Sequence, residues 1–238
     1  MNELGPVTRE LLGFVRDGAD DKALAARICQ ACVTGLDVDG AALSLLTATD
    51  ARQTLWATDP VAEVLEDLQF TLNEGVCMDA ARTGIPVLVP DLRHHAETVR
   101  WPVFAVAVGE RTAVAALFAL PLQWGAVNLG VLDLYRFVPG GLSEAQYLDA
   151  LAAADTAALM LLDHRTDPGN RFGGFIDHAL GHRAEVHQAT GMVLVQLAVS
   201  AEDALARMRA HAFVHRRLLV DVARDVVARR LVFTEDMS

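Results

Sequence analysis

Residues 182–227 read HRAEVHQATGMVLVQLAVSAEDALARMRAHAFVHRRLLVDVARDVV, and this stretch decides the fold of the C-terminal part of the chain. Apolar residues recur there at helical spacing, which predicts helices over residues 177–197, 200–212 and 219–231. Ser200 begins a capping-box variant at the head of the second helix. Three helices in so short a segment bury little core by themselves. We therefore expect the first helix to pair with a partner or to continue the preceding helix.

Charge is divided unevenly between the two ends of this 238-residue chain, whose net charge is −11. Residues 1–169 hold 11 basic and 23 acidic residues, whereas residues 182–230 hold eight arginines and five acidic residues. Lys22 is the single lysine, so basic contacts must be made by arginine. The planar guanidinium of arginine suits phosphate and base edges. An acidic body joined to a mildly basic tail indicates a regulatory half and an output half.

The first 165 residues mix strands and helices. Strands are predicted at 41–48, 52–57, 85–89, 112–122 and 126–137, the last two joined by a tight turn at 123–125. Helices are predicted at 7–15, 21–36, 59–70, 78–82, 100–108 and 143–164. This order predicts an α+β domain in which helices pack against an antiparallel sheet.

The predicted organisation is an α+β domain over residues 1–165, a linker over 166–176 and an all-α domain over 177–238. The amino terminus has no basic or apolar signal segment. Pro121 and Gly125 interrupt the longest uncharged stretch, so it is predicted to be a hairpin rather than a membrane helix. We expect a cytoplasmic protein without a membrane span, and three cysteines fit a reducing compartment.

No local pattern predicts a metal site, a cofactor or an enzyme. Cys29 and Cys32 form a C-x-x-C pair, but zinc needs further ligands, so two small buried residues are favoured over a redox pair. His94 and His95 are adjacent and point apart, which disfavours a shared metal. No glycine-rich nucleotide motif, kinase signature or Ser-His-Asp arrangement is evident. Cys77 begins a short predicted helix whose dipole favours a thiolate; structural burial is the first interpretation and redox sensing the second.

The basic residues of the C-terminal stretch are candidate nucleic-acid contacts. Arg183, His187 and Thr190 are spaced four and three residues apart, so they share one helix face. Three further arginines follow near the end of the second helix: Arg209, Arg216 and Arg217. Phosphate contact in exposed loops is one interpretation. An ordinary solvated face, with Arg209 paired to Asp203 or Asp221, is the other, and charge alone leaves both open.

Gly191 and Phe213 each allow two interpretations. Glycine inside a helix costs roughly 1 kcal/mol relative to alanine, so Gly191 serves close approach of RNA or a partner helix, or else tight packing within the three helices. The same argument applies to Ala189. Phe213 either stacks on an unpaired base or anchors the core, and the core role is favoured.

Residues 182–227 resemble the ANTAR domain of bacterial antitermination regulators. The family pattern is close to R-x-x-I-x-x-A-K-G-x-L-M, then S-x-x-E/D-A-x-x-x-L/M-R, then a polar-basic turn and L-x-x-V-A. The matching residues are Arg183, Val186, Ala189, Gly191, Met192, Leu194, Ser200, Asp203, Ala204, Met208, Arg209, Leu219, Val222 and Ala223. Thr190 stands where the family usually has lysine, which removes a phosphate contact.

The resemblance implies a three-helix module that recognises paired RNA stem-loops near a terminator and often works as a dimer. It favours RNA contact over a plain solvated face for the candidate residues. These are Arg183, His187, Ala189, Thr190, Gly191, Arg209, Arg216 and Arg217.

The first 165 residues resemble a GAF sensor domain of the type found ahead of ANTAR in actinobacterial proteins. The resemblance is carried by LQFTLNEGVCMDAARTGIPVLVPDL at 68–92, by Arg100-Trp101-Pro102 and by ALPLQWGAVNLGVLDLY at 119–135. Val76 stands where proline is usual. The resemblance implies a six-stranded antiparallel sheet with a ligand pocket on one face. Candidate pocket residues are Glu74, Cys77, Asp79 and Trp101.

Together the two resemblances predict a signal-responsive regulator that binds RNA and acts by transcription antitermination. The expected partners are structured RNA, a second copy of the chain and an unidentified small molecule or protein sensed by the GAF domain. Two alternatives are a thiol redox sensor or enzyme centred on Cys77, since some GAF domains reduce free methionine sulfoxide, and a DNA-binding regulator, since three short helices can imitate a helix-turn-helix.

Overall fold

The computed structural model describes residues 4–14, 21–46, 52–125, 127–166, 185–186 and 188–234. The chain divides into two compact units, an N-terminal unit over residues 1–172 and a C-terminal unit over 173–238. Most of the predicted linker, 166–176, lies outside the described residues, so the exact domain limits stay a prediction. Among the described helices, none is both long enough and apolar enough to cross a bilayer.

An antiparallel sheet forms the centre of the N-terminal unit. Its strands are β1 (Gly40–Leu46), β2 (Arg52–Ala57), β3 (Val87–Val89), β4 (Ala116–Trp124) and β5 (Val127–Arg136). Their order is β2-β1-β5-β4-β3, with every neighbouring pair antiparallel. The predicted α+β class is confirmed. The resemblance implied a sheet of six strands, whereas the described residues form a sheet of five.

Helices pack around this sheet in two groups, and the helices within each group contact one another. The helices are α1 (Pro6–Gly13), α2 (Asp21–Leu36), α3 (Pro60–Leu72), α4 (Val76–Thr83), α5 (His95–Arg100), α6 (Pro102–Arg111) and α7 (Glu144–Thr166). One group comprises α1, α2 and α7, and the other comprises α3 to α6. Large buried side chains from both groups and from the strands fill the core, among them Ile28, Phe104, Phe118, Leu132 and Leu161.

Local sequence signals set several helix ends. The Asp59 carboxylate accepts from the N–H groups of Val61 (2.8 Å) and Ala62 (3.0 Å), which caps α3. The helix predicted at 100–108, opening near Trp101 and Pro102, is present as α6, whereas the short helix α5 before it was not predicted. The chain leaves helical geometry at Trp101 (φ −133°) and restarts at Pro102, because proline disfavours helical backbone in the residue before it and suits the first helical position.

The C-terminal unit is helical in its described residues, which confirms the predicted class. Helix α8 covers 188–197, and α9 (Ala201–Val214) and α10 (Leu219–Val227) follow. Ser200 Oγ accepts from Asp203 N at 3.0 Å, so the predicted cap of α9 is present. Helix α10 is shorter than predicted, since Arg229 adopts a left-handed φ of 57°. Buried side chains from all three helices form the core: Ala189, Val193, Ala204, Met208, Ala212, Val222 and Val226.

Candidate functional site

Gly191 faces open space in α8. A Cβ built on it meets no heavy atom within 4 Å among the described residues, apart from its own helix backbone and chain neighbours. Tight packing against the described part of the module therefore does not require this glycine. Ala189, two residues earlier, is fully buried and belongs to the core instead. Of these two residues, only Gly191 remains a candidate for close approach by a partner.

Thr190 turns its hydroxyl toward its own helix. Thr190 Oγ1 donates to Val186 O at 2.7 Å and lies 3.9 Å from Met208 Sδ. The side chain is half-buried. A hydroxyl held in this way does not extend a donor to a phosphate, as the lysine usual in the family would. Arg183 and His187, predicted to share this helix face, lie outside the described residues, and their placement stays a prediction.

The turn between α9 and α10 carries two arginines in different environments. Arg216 is exposed and adopts a left-handed backbone conformation (φ 53°). Arg217 Nη2 donates to Asp225 Oδ2 at 2.6 Å and to Asp221 O at 3.1 Å. Hydrogen bonds from Arg217, and then from Arg230, lower the pKa of Asp225. Arg216 is therefore the residue of this turn best placed to meet a ligand.

Arg209 lies within α9 rather than at its end. Its side chain is half-buried, and burial lowers the pKa of its guanidinium. The acids considered as its partners make other contacts: Asp203 Oδ2 accepts from Ser200 Oγ at 2.7 Å, and Asp221 Oδ1 accepts from Arg224 at 3.4 Å. A phosphate contact by Arg209 would use the part of the guanidinium that reaches the surface.

Phe213 does not anchor the core, so that prediction was wrong. Its side chain is 55% exposed, while Phe233 is the buried aromatic and meets the His211 ring edge-on at 5.4 Å. The reason is helical phase. Met208 and Ala212 are fully buried at a spacing of four, and the next residue, turned by about 100°, faces outward.

Two histidines stack beside this region. The rings of His211 and His215 lie 4.0 Å apart between centroids, and His215 Nδ1 lies 2.9 Å from His211 O. Burial lowers the pKa of His211, and the charges of His215 and Arg217 lower it further. The neutral form of His211 is therefore favoured in the folded unit.

In the N-terminal unit, three of the four predicted pocket residues make structural contacts. Glu74 Oε2 accepts from the N–H groups of Val103 (3.1 Å) and Phe104 (3.0 Å), and so caps α6. Asp79 Oδ2 pairs with the guanidinium of Arg100 at 2.8 Å. Trp101 is 3% exposed and packs under Arg100, 4.3 Å from ring centroid to guanidinium carbon. Their role in ligand binding stays a prediction.

Cys77, the fourth, is fully buried, and its N–H donates to Gln69 Oε1 at 2.7 Å. Cys29 and Cys32 are buried too, as predicted, and burial raises the pKa of Cys32 to about 12 and that of Cys29 well above its usual value. Both α2 thiols are therefore neutral.

An open groove of ≈ 360 Å³ lies elsewhere on this unit. Its lining is mostly apolar and comes from the segment before α5, from α5 and α6, from the segment leading into β4 and from Phe137. The lining residues are Leu92, Arg93, Thr98, Ala105, Val106, Gly109, Thr112, Ala113, Val114, Ala115 and Phe137. None of the four predicted pocket residues lines it, so the sequence prediction did not find this groove.

Comparison with family models identifies both units. The GAF domain model matches residues 18–161 and the ANTAR domain model matches residues 176–227. The chain therefore belongs to the GAF family and carries an ANTAR domain after its GAF domain, in the order predicted from sequence. A sensory domain followed by this output domain makes it a signal-transduction regulator of the RNA-binding kind.

Solved structures support the fold of the N-terminal unit. The GAF domain of the Acinetobacter phosphoenolpyruvate-protein phosphotransferase aligns with a TM-score of 0.53 and 13% identity, over 68% of this chain and 93% of that one. Free methionine-R-sulfoxide reductase from Neisseria meningitidis aligns with a TM-score of 0.50 and 17% identity, over 67% and 88%. At these identities the likeness shows the fold alone. No curated protein sequence matches the chain.

Proposed function

We propose that this chain is a signal-responsive antiterminator that binds paired RNA stem-loops through its ANTAR domain and acts in the cytoplasm. The observation that carries the proposal is Gly191. It occupies the motif position of the family, costs helix stability and faces open space. A residue kept at such a cost without a packing role fits close approach by a ligand.

The α9–α10 turn supplies the charge for this proposal. Arg216 is exposed in the turn, and Arg209 reaches the surface from the adjoining helix. Arginine forks bind phosphate, and loops that present them suit unpaired bases. The unit has only a small positive excess, so we expect weak non-specific binding and a dependence on RNA shape.

We further propose that the chain works as a homodimer. Two leucines of α7, Leu148 and Leu159, are 48% and 46% exposed and lie three helical turns apart on one face. Exposed leucines on one helix face suit a helix–helix contact between two copies. A signal at the GAF domain, either a small molecule or a protein, would shift α7 and so change how two ANTAR domains are paired. Such a shift needs only different affinities of the signal for the two states.

The two alternative functions have less support. A redox enzyme centred on Cys77 needs an accessible thiol, whereas Cys77 is fully buried. A DNA-binding regulator needs a helix presented to the major groove, whereas the exposed candidate contact Arg216 lies in a turn.

The test is binding by the full chain. RNA crosslinked to the protein in its own cell is recovered and sequenced, and the enriched segment is then titrated with purified protein at several salt concentrations. We expect paired hairpins to be enriched and bound with an affinity that falls as salt rises. Equal competition by duplex DNA would favour the DNA-binding alternative, and no enrichment of hairpins would refute the proposal.

A further inference from the structure

Three metal-ligating side chains from separate elements meet inside the N-terminal unit. They are Glu66 from α3, Cys77 from α4 and Asp133 from β5, called here the acid–thiol cluster. One ligand atom from each, two carboxylate oxygens and the thiol sulfur, lie within 4.8 Å of one another. All three residues are buried. The fold, rather than local spacing in the sequence, brings them together.

The contacts of Glu66 indicate a charged carboxylate. The hydroxyls of Ser44 and Thr54 both donate to Glu66 Oε2, the second at 2.8 Å. Two O–H donors converging on one oxygen stabilise the ionised form, because hydrogen bonds to a charged acceptor are stronger. Both donors come from outside the acid–thiol cluster, on strands β1 and β2.

A charged Glu66 beside Asp133 creates an electrostatic requirement. Two like charges in a buried site repel, and both can be ionised only when positive charge lies with them. A metal ion meets that requirement and also stabilises the thiolate form of a cysteine. A proton shared by the two carboxyl groups would reduce the repulsion between the two acids. It would give the thiol no role as a ligand.

We propose that the acid–thiol cluster binds one divalent transition-metal ion of the zinc class. Sulfur together with carboxylate oxygen suits Zn²⁺ and its neighbours rather than Mg²⁺ or Ca²⁺, which take oxygen ligands. Three protein ligands leave a further coordination position for water. Because the ligands come from α3, α4 and β5, the metal would join these three elements inside the unit.

Neighbouring hydrogen bonds fix the ligands in place, as they do around other metal sites. Ser44 and Thr54 orient Glu66, while Gln69 accepts from the Cys77 N–H and holds the start of α4. The backbone of Asp133 lies between two strands, and its register partners are Ala42 of β1 and Ala119 of β4. No metal site was predicted from the sequence, because only ligands close together in the chain were considered.

The test is metal binding by the full chain, and it does not depend on RNA binding. Chelator-treated protein is titrated with Zn²⁺ against a chromophoric chelator, and with Co²⁺ while the absorption spectrum is recorded. We expect one equivalent of metal and a thiolate-to-cobalt charge-transfer band. Cys77→Ser should abolish the band. Cys77→Ser and Asp133→Asn should each weaken Zn²⁺ binding by more than the roughly 10–100-fold that loss of an outer partner costs.

A matched control comes from the same unit. Cys32→Ser removes another buried thiol and should leave metal binding unchanged. X-ray absorption at the zinc edge of the wild-type protein covers the case in which a variant fails to fold, and we expect one sulfur scatterer together with oxygen. Failure to bind one equivalent of metal, binding that the Cys77 and Asp133 variants do not weaken, or a zinc shell without sulfur would overturn the inference.

Discussion

The carboxylate of Asp149 in α7 accepts a hydrogen bond of 2.7 Å from the hydroxyl of Thr8 in α1, 141 residues earlier. The same carboxylate accepts from the backbone N–H groups of Val7 (2.9 Å) and Thr8 (3.1 Å). A helix of eight residues is marginal alone, so this long-range cap and the burial of Val7 and Leu11 attach α1 to the unit. Helix α1 itself lies outside residues 18–161, which match the GAF domain model.

Asp149→Ala should therefore destabilise the N-terminal unit. Asp149 is 5% exposed, and its removal leaves three donors without their acceptor, which we expect to cost about 3 kcal/mol in the free energy of unfolding. Denaturant titration measures the loss. Asp155→Ala, which removes an exposed acid from the same helix, is the control and should change stability little. Equal effects of the two substitutions would show that the cap does not hold α1.

Thr190→Lys should strengthen RNA binding. It restores the residue usual in the family, and the native hydroxyl contributes only a bond to its own helix. One added phosphate contact should also raise the salt slope of binding by about one. Val195→Lys adds the same charge to an exposed position on another side of α8 and should have less effect. An equal gain from both variants would mean that general charge, not this position, sets the affinity.

Arg216→Ala and Arg217→Ala should differ in kind. Arg216 is exposed, so its loss should weaken RNA binding more than the loss of Arg217 does. Arg217 pairs with Asp225 at 2.6 Å, so its loss should lower the thermal midpoint, with a smaller direct effect on RNA. Binding and melting are measured on the same preparations. The reverse pattern would exchange the roles assigned to the two arginines.

Titration of His211 should be shifted toward acid pH. Its pKa is lowered in the folded unit, chiefly by burial, so the unfolded chain takes up the proton first as the pH falls. The stability from neutral His211 is fully present above its ordinary pKa of about 6.5 and is lost as the pH falls through the folded value. NMR of the ring protons, assigned with His211→Gln, measures the midpoint directly. A midpoint at or above the ordinary value would contradict the structure.

Local signals allowed the prediction of much of the fold. The Gln123-Trp124-Gly125 turn, between two apolar runs, correctly predicted the β4–β5 hairpin, and Ser200 correctly predicted the start of α9. Such features depend on residues close together in the chain. The start of α6 beside Trp101 and Pro102 was predicted as well, whereas the short helix α5 was not.

The candidate sites depended more on tertiary structure. Phe213 was misplaced because an aromatic residue was expected in the core, while the spacing of Met208 and Ala212 already placed it outside. Glu66 and Asp133 were not found at all. Nothing in the sequence around either residue indicates that a strand and a helix bring them to Cys77, and only the folded sheet shows it.

Gly191→Ala tests the central claim, an RNA-facing surface on α8, most directly. Because the added methyl group meets open space, the substitution should stabilise the C-terminal unit by about 1 kcal/mol through helix propensity. RNA binding should nevertheless weaken, since the methyl group then lies between α8 and the RNA. Gly109→Ala, at an equally open helical site in α6, should stabilise its own unit without changing RNA binding. If Gly191→Ala binds RNA as tightly as the wild type, with the same salt dependence, the claim is contradicted.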